Sequence, residues 1–295
     1  MKKKVLITGI HGMLGQSVYQ TLNQSQQFEI YGIGRRASSI LHNNYFQGDI
    51  SQQAFVEKVS FSHPYDYIIH CAALVNLAFC EKNKTYASSV HVEGSQLLTQ
   101  FNPQAIFIYI STDAVFNGET GNYTEDDLPT PLNIYAITKY LGEQKVLNNN
   151  KKSYVLRLNI YGFKQPFGQS LLEWAYTSLK KKSSINGYTN VEFNPLSTYQ
   201  VAKLILQFIL QQPDFGIYHL GANTSLSKYD FLLKIANYCH FDKSLITPTV
   251  FDDSSSIIKR PKNTTLSIQK AKQAIVSEDW SLDEGLKQIV KIMKK

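Results

Sequence analysis

The chain has 295 residues, 43% of them hydrophobic and 18% charged, with a formal net charge of +7; that length can hold a sizeable core, and the balance excludes an intrinsically disordered chain. The positive excess suits an anionic ligand, but the lysines are dispersed and not gathered into a stripe interleaved with aromatics, which argues against nucleic acid. Cys71, Cys80 and Cys239 are odd in number and lack metal-ligand spacing, no run approaches the roughly 18 apolar residues that span a bilayer, and no cleavage site follows "MKKKVLITGIHG"; the expectation is a soluble cytoplasmic protein with neither metal nor membrane partner.

In chain order, "KVLIT" (4–8) is a short apolar run, followed by a glycine-rich turn and the amphipathic stretch "MLGQSVYQTLNQ" (13–24). "FEIYGI" (28–33), "YDYIIH" (65–70), "AIFIYI" (105–110) and "SYVLRL" (153–158) repeat the strand pattern, with helical "VHVEGSQLLTQF" (90–101) and "YLGEQKVLNN" (140–149) among the intervening segments. Such short runs, rich in Ile, Val and Tyr, suit strands buried on both faces of a parallel sheet, and strand-helix repeats with right-handed crossovers build a doubly wound sheet. Beyond about residue 160 the loops lengthen, helices are expected near 171–179 and 199–211, and "GIYHL" (216–220) reads as one more sheet strand. The fold class expected is α/β: a Rossmann-type doubly wound parallel sheet with a smaller C-terminal substrate lobe.

The first chemistry lies in "TGIHGMLG". Gly9, Gly12 and Gly15 stand three apart between a strand and a helix. There Gly9 permits a tight turn, Gly12 lets the backbone approach a pyrophosphate, Gly15 allows close helix-sheet packing, and the helix N-terminus faces the phosphates; His11, Met13 and Leu14 complete the loop. A glycine triplet alone also describes a flexible turn. The G-x-x-G-x-x-G spacing resembles the short-chain dehydrogenase/reductase superfamily, in particular its extended branch. At the end of the second strand an acid would bind the ribose of NAD and repel a 2′-phosphate, yet here Gly34 is followed by Arg35 and Arg36. Two planar guanidinium groups favour NADP(H), the alternative being a solvated basic turn. Asp49 and Ile50 in "QGDIS" match the superfamily's adenine-holding pair, and Cys71, Ala72 and Ala73 in "HCAA" would let the cofactor lie close.

Thr112 in "STDAVFNG" and Tyr135 and Lys139 in "PLNIYAITKYLGE" form a second constellation. A four-residue spacing puts Tyr135 and Lys139 on one helix face. A carbonyl that accepts hydride needs a proton donor, and a free tyrosine, with a pKa near 10, is a weak one for reversible work at neutral pH. An ammonium about 4 Å away can lower it by two or three units at an effective dielectric of 20. Lys139 is expected to do this and to hold the nicotinamide ribose, while Thr112 orients the carbonyl. A Tyr-x-x-x-Lys pair alone is common; its place after "STD" and behind a glycine turn makes it a catalytic set.

These two segments, with "RPKNTTLS" near the end, resemble the dTDP-4-dehydrorhamnose reductase family and its sugar-nucleotide-binding relatives, from Gly9 to about Lys270. The resemblance implies reduction of a nucleotide-diphosphate-linked 4-keto-6-deoxy sugar by NADPH, with Asp113 and Asn76 at the substrate and Arg260 at its diphosphate. It assigns residues 1–160, completed by about 196–222, to NADP binding, leaves 161–195 and 223–295 as a substrate lobe, and admits a homodimer. Departures from the family pattern at Ala114, Asn117, Ser267 and "RLNIYGF" put the rhamnose substrate in question. Two alternatives are similar in sequence: sugar-nucleotide epimerases and dehydratases, which usually keep NAD and the acid missing here, and the non-catalytic NADP-binding regulatory subunit of methionine adenosyltransferase.

Overall fold

The computed structural model of the chain describes residues 1–38, 41–252, 254, 256–277 and 279–293. Seven strands form the central sheet: β1 (Lys3–Thr8), β2 (Phe28–Gly34), β3 (Tyr45–Gln47), β4 (Tyr67–His70), β5 (Ile106–Ile110), β6 (Ser153–Leu158) and β7 (Gly216–Leu220). Their spatial order is β7-β6-β5-β4-β1-β2-β3, with every neighbouring pair parallel. Six of the seven coincide with the strand-like runs of the sequence. The exception is β3, three residues that pair with Gly32–Gly34 and are too short to show a periodicity. The order reverses between β1 and β4, which opens a crevice at the carboxyl ends of those two strands.

Alternate residues of each strand serve opposite faces. Val5, Ile7, Ile69, Ile108 and Leu156 enter one core with Leu14 and Val18 of helix α1 (Met13–Ser25), whereas Leu6, Ile68, Phe107, Tyr109 and Val155 enter another. The second core is closed by Val56 of α2 (Gln53–Ser62), Leu98 of α3 (Gly94–Phe101) and Val146 of α4 (Ile134–Asn149). Strands buried on both sides explain the near-continuous apolar runs. The later helices are α5 (Leu171–Lys180), α6 (Thr198–Gln211), α7 (Lys228–Cys239) and α8 (Leu282–Met293). Of these, α6 packs against α1, and Leu172, Phe231, Ile235 and Leu286 join the first core. The second half of the chain therefore shares its apolar interior with one face of the sheet.

Several helix starts are set by side chains. Asn133 Oδ1 accepts from Ala136 N at 3.0 Å to open α4, and capping boxes pair Ser170 with Glu173 at α5 and Ser197 with Gln200 at α6. Among the described residues no helix is long and apolar enough to cross a membrane, and no group of three or more His, Cys, Asp or Glu is placed to hold a metal ion.

Candidate active site

At the crevice, Gly9 has φ +66°, and a Cβ there would lie 2.8 Å from Ala72 Cα and N. Only glycine fits both the left-handed backbone and the close approach. The Gly12 amide donates to Gly9 O at 2.8 Å, and a Cβ on Gly15 would run into that same carbonyl. Thr8 ties the two strand ends together: its Oγ1 lies 2.6 Å from His70 Nδ1 and accepts from Ala72 N at 3.2 Å. His70 is buried and engages Ser95 Oγ with its other ring nitrogen at 3.0 Å, so it is a clamp within the fold. Leu14 faces the core, which leaves only its backbone for a ligand, and Cys71 is a thiol that burial pushes up to about 12.

Beyond β2, a Cβ at Gly34 would lie 2.7 Å from the Tyr45 hydroxyl and 2.8 Å from His11 Cδ2. The place where an acid would stand is thus closed by two rings. Tyr45 donates to the Arg36 carbonyl, so its oxygen accepts from His11 Nε2 at 3.2 Å. Burial, then the nearby Arg36 cation, lowers the pKa of His11. The two exposed arginines differ in their surroundings. Arg35 Nη1 donates to Tyr86 OH at 3.3 Å, and Tyr86 donates to Asp49 Oδ2 at 2.5 Å. Burial works to raise Asp49, but the bonds from Tyr86 and Ser51 outweigh it and hold the carboxyl below its usual range. Ile50 is buried beneath Gly94. Tyr86 carries no sequence signal; only folding brings it to Asp49.

Three consecutive residues at the end of β5 meet α4. Lys139 Nζ donates to Ile110 O at 2.7 Å and sits 4.0 Å from the Tyr109 ring centroid. Ser111 Oγ donates to Glu143 Oε1. The Thr112 side chain acts on Tyr135, working to lower its pKa. The three candidate residues are therefore brought together, with one correction. Tyr135 stands above and not below its ordinary value here: burial raises the tyrosine to about 12, opposed by Thr112, and burial lowers Lys139 to about 7, opposed by Glu143. Both charged forms lose water, and the ammonium is spent on the Ile110 carbonyl.

Asp113 is buried and accepts from Asn159 Nδ2 at 2.8 Å and from Thr112 Oγ1 at 3.2 Å. Burial raises its pKa, opposed by hydrogen bonds from Thr264 and Asn159 and by the charge of Lys228. Burial in turn lowers Lys228 to about 7, with its Nζ 3.1 Å from the Phe193 ring centroid. Lys228 and Phe193 escaped sequence reasoning because no local pattern marks them; Asn159 lies within "RLNIYGF" and Thr264 within "RPKNTTLS", and both could have been weighed. Asn76 Oδ1 caps the helix Leu77–Lys82 through Phe79 N at 2.9 Å. Arg260 is exposed on a segment that docks at the start of α4, where Asn133 Nδ2 donates to Lys259 O at 3.0 Å. Asn263 N reaches Gly118 O at 3.0 Å, joining "RPKNTTLS" to the loop after "STDAVF".

A Rossmann-type sheet with a glycine turn at its switch point and Thr112, Tyr135 and Lys139 at the end of β5 defines the extended short-chain dehydrogenase/reductase class. Residues 2–295 match the family model described as the RmlD substrate binding domain, and the chain belongs to that family. It is 28% identical over 295 residues to the methionine adenosyltransferase 2 subunit beta of Xenopus tropicalis, covering 97% of this chain and 86% of the relative. The dTDP-4-dehydrorhamnose reductase of Aggregatibacter actinomycetemcomitans is 26% identical, covering 94% and 95%. Among solved structures, the dTDP-4-dehydrorhamnose reductase of Bacillus anthracis in complex with NADP superposes with a TM-score of 0.86 at 26% identity and 99% coverage of both chains.

Proposed function

We propose that this protein is an NADPH-dependent reductase of a nucleotide-diphosphate-linked 4-keto-6-deoxy sugar. The observation that carries the reading is the meeting of Thr112, Tyr135 and Lys139 at the carboxyl end of β5, beside the buried Asp113. The similarity to the NADP-bound reductase of Bacillus anthracis supports the cofactor. So do the residues present: a tight turn in which Cβ atoms on Gly9 and Gly15 would strike neighbouring backbone, a closed site where an acid would exclude a 2′-phosphate, and two exposed guanidinium groups beside it. Gly9, Gly12 and Gly15 would hold the pyrophosphate, Arg35 and Arg36 the 2′-phosphate, Asp49 and Ile50 the adenine side.

NADPH, when bound, supplies the hydride. Tyr135 is the proton donor: burial keeps its hydroxyl protonated through neutral pH, so it meets the carbonyl as an acid. Thr112 turns its hydroxyl hydrogen from Asp113 to the carbonyl oxygen and fixes the angle of attack. Lys139 holds positive charge beneath the developing alkoxide and is free to exchange the Ile110 carbonyl for a ribose hydroxyl. Asp113, Asn76 and Arg260 are assigned to the sugar nucleotide.

The test is to incubate the protein with NADPH and a panel of nucleotide-linked 4-keto-6-deoxy sugars and follow the absorbance of the reduced nicotinamide. Consumption with at least one sugar supports the reading; none across the panel refutes it. A second reading, a subunit that regulates a methionine adenosyltransferase, is favoured by the 28% identity to the beta subunit. It requires co-elution with such an enzyme and no turnover of the sugars.

A further inference from the structure

Tyr135, Lys139 and Glu143 recur every four residues along α4 and lie on one face of it. All three meet the end of β5: Thr112 meets Tyr135, the Ile110 carbonyl takes Lys139 Nζ, and Ser111 Oγ donates to Glu143. Arg157 of β6 closes on the Glu143 carboxylate with Nε at 3.1 and 3.2 Å and Nη2 at 2.8 Å. The pair is buried to 1% and 0% exposure. A buried ion pair of this kind often adds nothing to stability over apolar residues of the same volume, so its place one turn beyond Lys139 calls for a different account.

We propose that Glu143, held by Ser111 and Arg157, is a positioning residue that serves as the counter-charge of Lys139. The inference rests on the catalytic reading of Tyr135 and Lys139. The groups that face Lys139 are Tyr109 of β5, His70 and Cys71 at the end of β4, His91 of the segment Ser89–Glu93, and Tyr135 and Glu143 of its own helix. Burial holds both histidines neutral and the thiol and phenols protonated. Glu143 is the one anion in this set, and it opposes the loss of the lysine proton. Arg157 fixes the carboxylate in place, with Nη1 finding no partner among the described residues. Without the carboxylate, Lys139 and Arg157 would be two buried cations with no anion among the groups that face Lys139.

The experiment uses full-length protein labelled with 13C at lysine Cε, with the Lys139 resonance identified by its loss in Lys139→Met. In the wild type it should titrate near pH 7. In Glu143→Gln the midpoint should fall by about one pH unit or more, a tenfold change in acidity, and the alkaline limb of the kcat profile should move down with it. If that variant does not fold, Glu143→Met/Arg157→Met replaces the pair with apolar side chains and should shift Lys139 in the same direction. An unchanged Lys139 midpoint in a folded variant of either kind overturns the proposal. Should the wild type reduce no sugar, the catalytic reading falls while the lysine titration still decides the counter-charge.

Discussion

Around the end of β5, each residue is committed: Thr112, Asp113, Lys139 and Glu143 are buried, and each has a partner at a defined distance. Arg35, Arg36 and Arg260, the side chains assigned to phosphates, are instead exposed on loops. On the proposed function, the difference follows from what each region must do. Proton transfer tolerates little misplacement, so its groups are locked by burial and hydrogen bonds. Phosphate recognition by guanidinium groups can be left hydrated until the charge arrives, because two planar donors find a dianion without prior fixing. Substitutions at the locked end should therefore change rate, and substitutions at the exposed end should change affinity.

The largest effect expected is at the locked end. Tyr135→Phe removes one hydroxyl and should lower turnover by roughly 10²–10⁴-fold with NADPH affinity retained; near-normal turnover by this variant would break the contrast. Next comes the cofactor preference, measured as the ratio of NADH to NADPH dissociation constants. Arg35→Ala/Arg36→Ala should erase most of it, since charge-assisted contacts contribute about 1.5–3 kcal/mol each. The single variants sharpen the comparison: Arg36→Ala should cost more than Arg35→Ala, whose guanidinium is already engaged by Tyr86. Equal affinity of the wild type for both cofactors would remove both arginines from the site.

Arg260→Ala should weaken sugar-nucleotide binding by about 1.5–3 kcal/mol, read by calorimetry, and leave NADPH affinity and Tm unchanged. A lowered Tm would instead make Arg260 a structural residue. A further expectation concerns stability against acid and lies outside the two regions compared. Burial lowers His91 and His219 to about 3 from an ordinary 6.5. Unfolding lets both take up protons throughout that interval, so stability is retained above about pH 6.5 and declines as pH falls towards 3. Calorimetric scans from neutral pH down to about pH 4 should show a falling Tm, and a flat Tm would contradict neutral burial of these rings.

Much of this architecture was legible before folding. Six strands stood out as apolar runs, because burial on both faces of a sheet demands them over the whole length of a strand. The glycine turn and the Tyr135-Lys139 face were equally legible, since both depend on spacings within a single turn or helix. The same spacing extends to Glu143, but its meaning depends on Arg157, which comes from a different strand.

The amino-acid order by itself determined the alternation of strand and helix, the cradle at Gly9–Gly15 and the pairing of tyrosine with lysine, because backbone conformation and helical periodicity are local properties. Tertiary structure alone decided the rest: that Arg35 leans on Tyr86 and Asp49, that Asp113 is held by Asn159 and faces Lys228, and that Lys139 rests on Ile110 with Tyr135 raised and not lowered. Each of these is a matter of burial and long-range contact. The cost of charging a side chain is set by what excludes water from it, and the residues that exclude it lie far away along the chain.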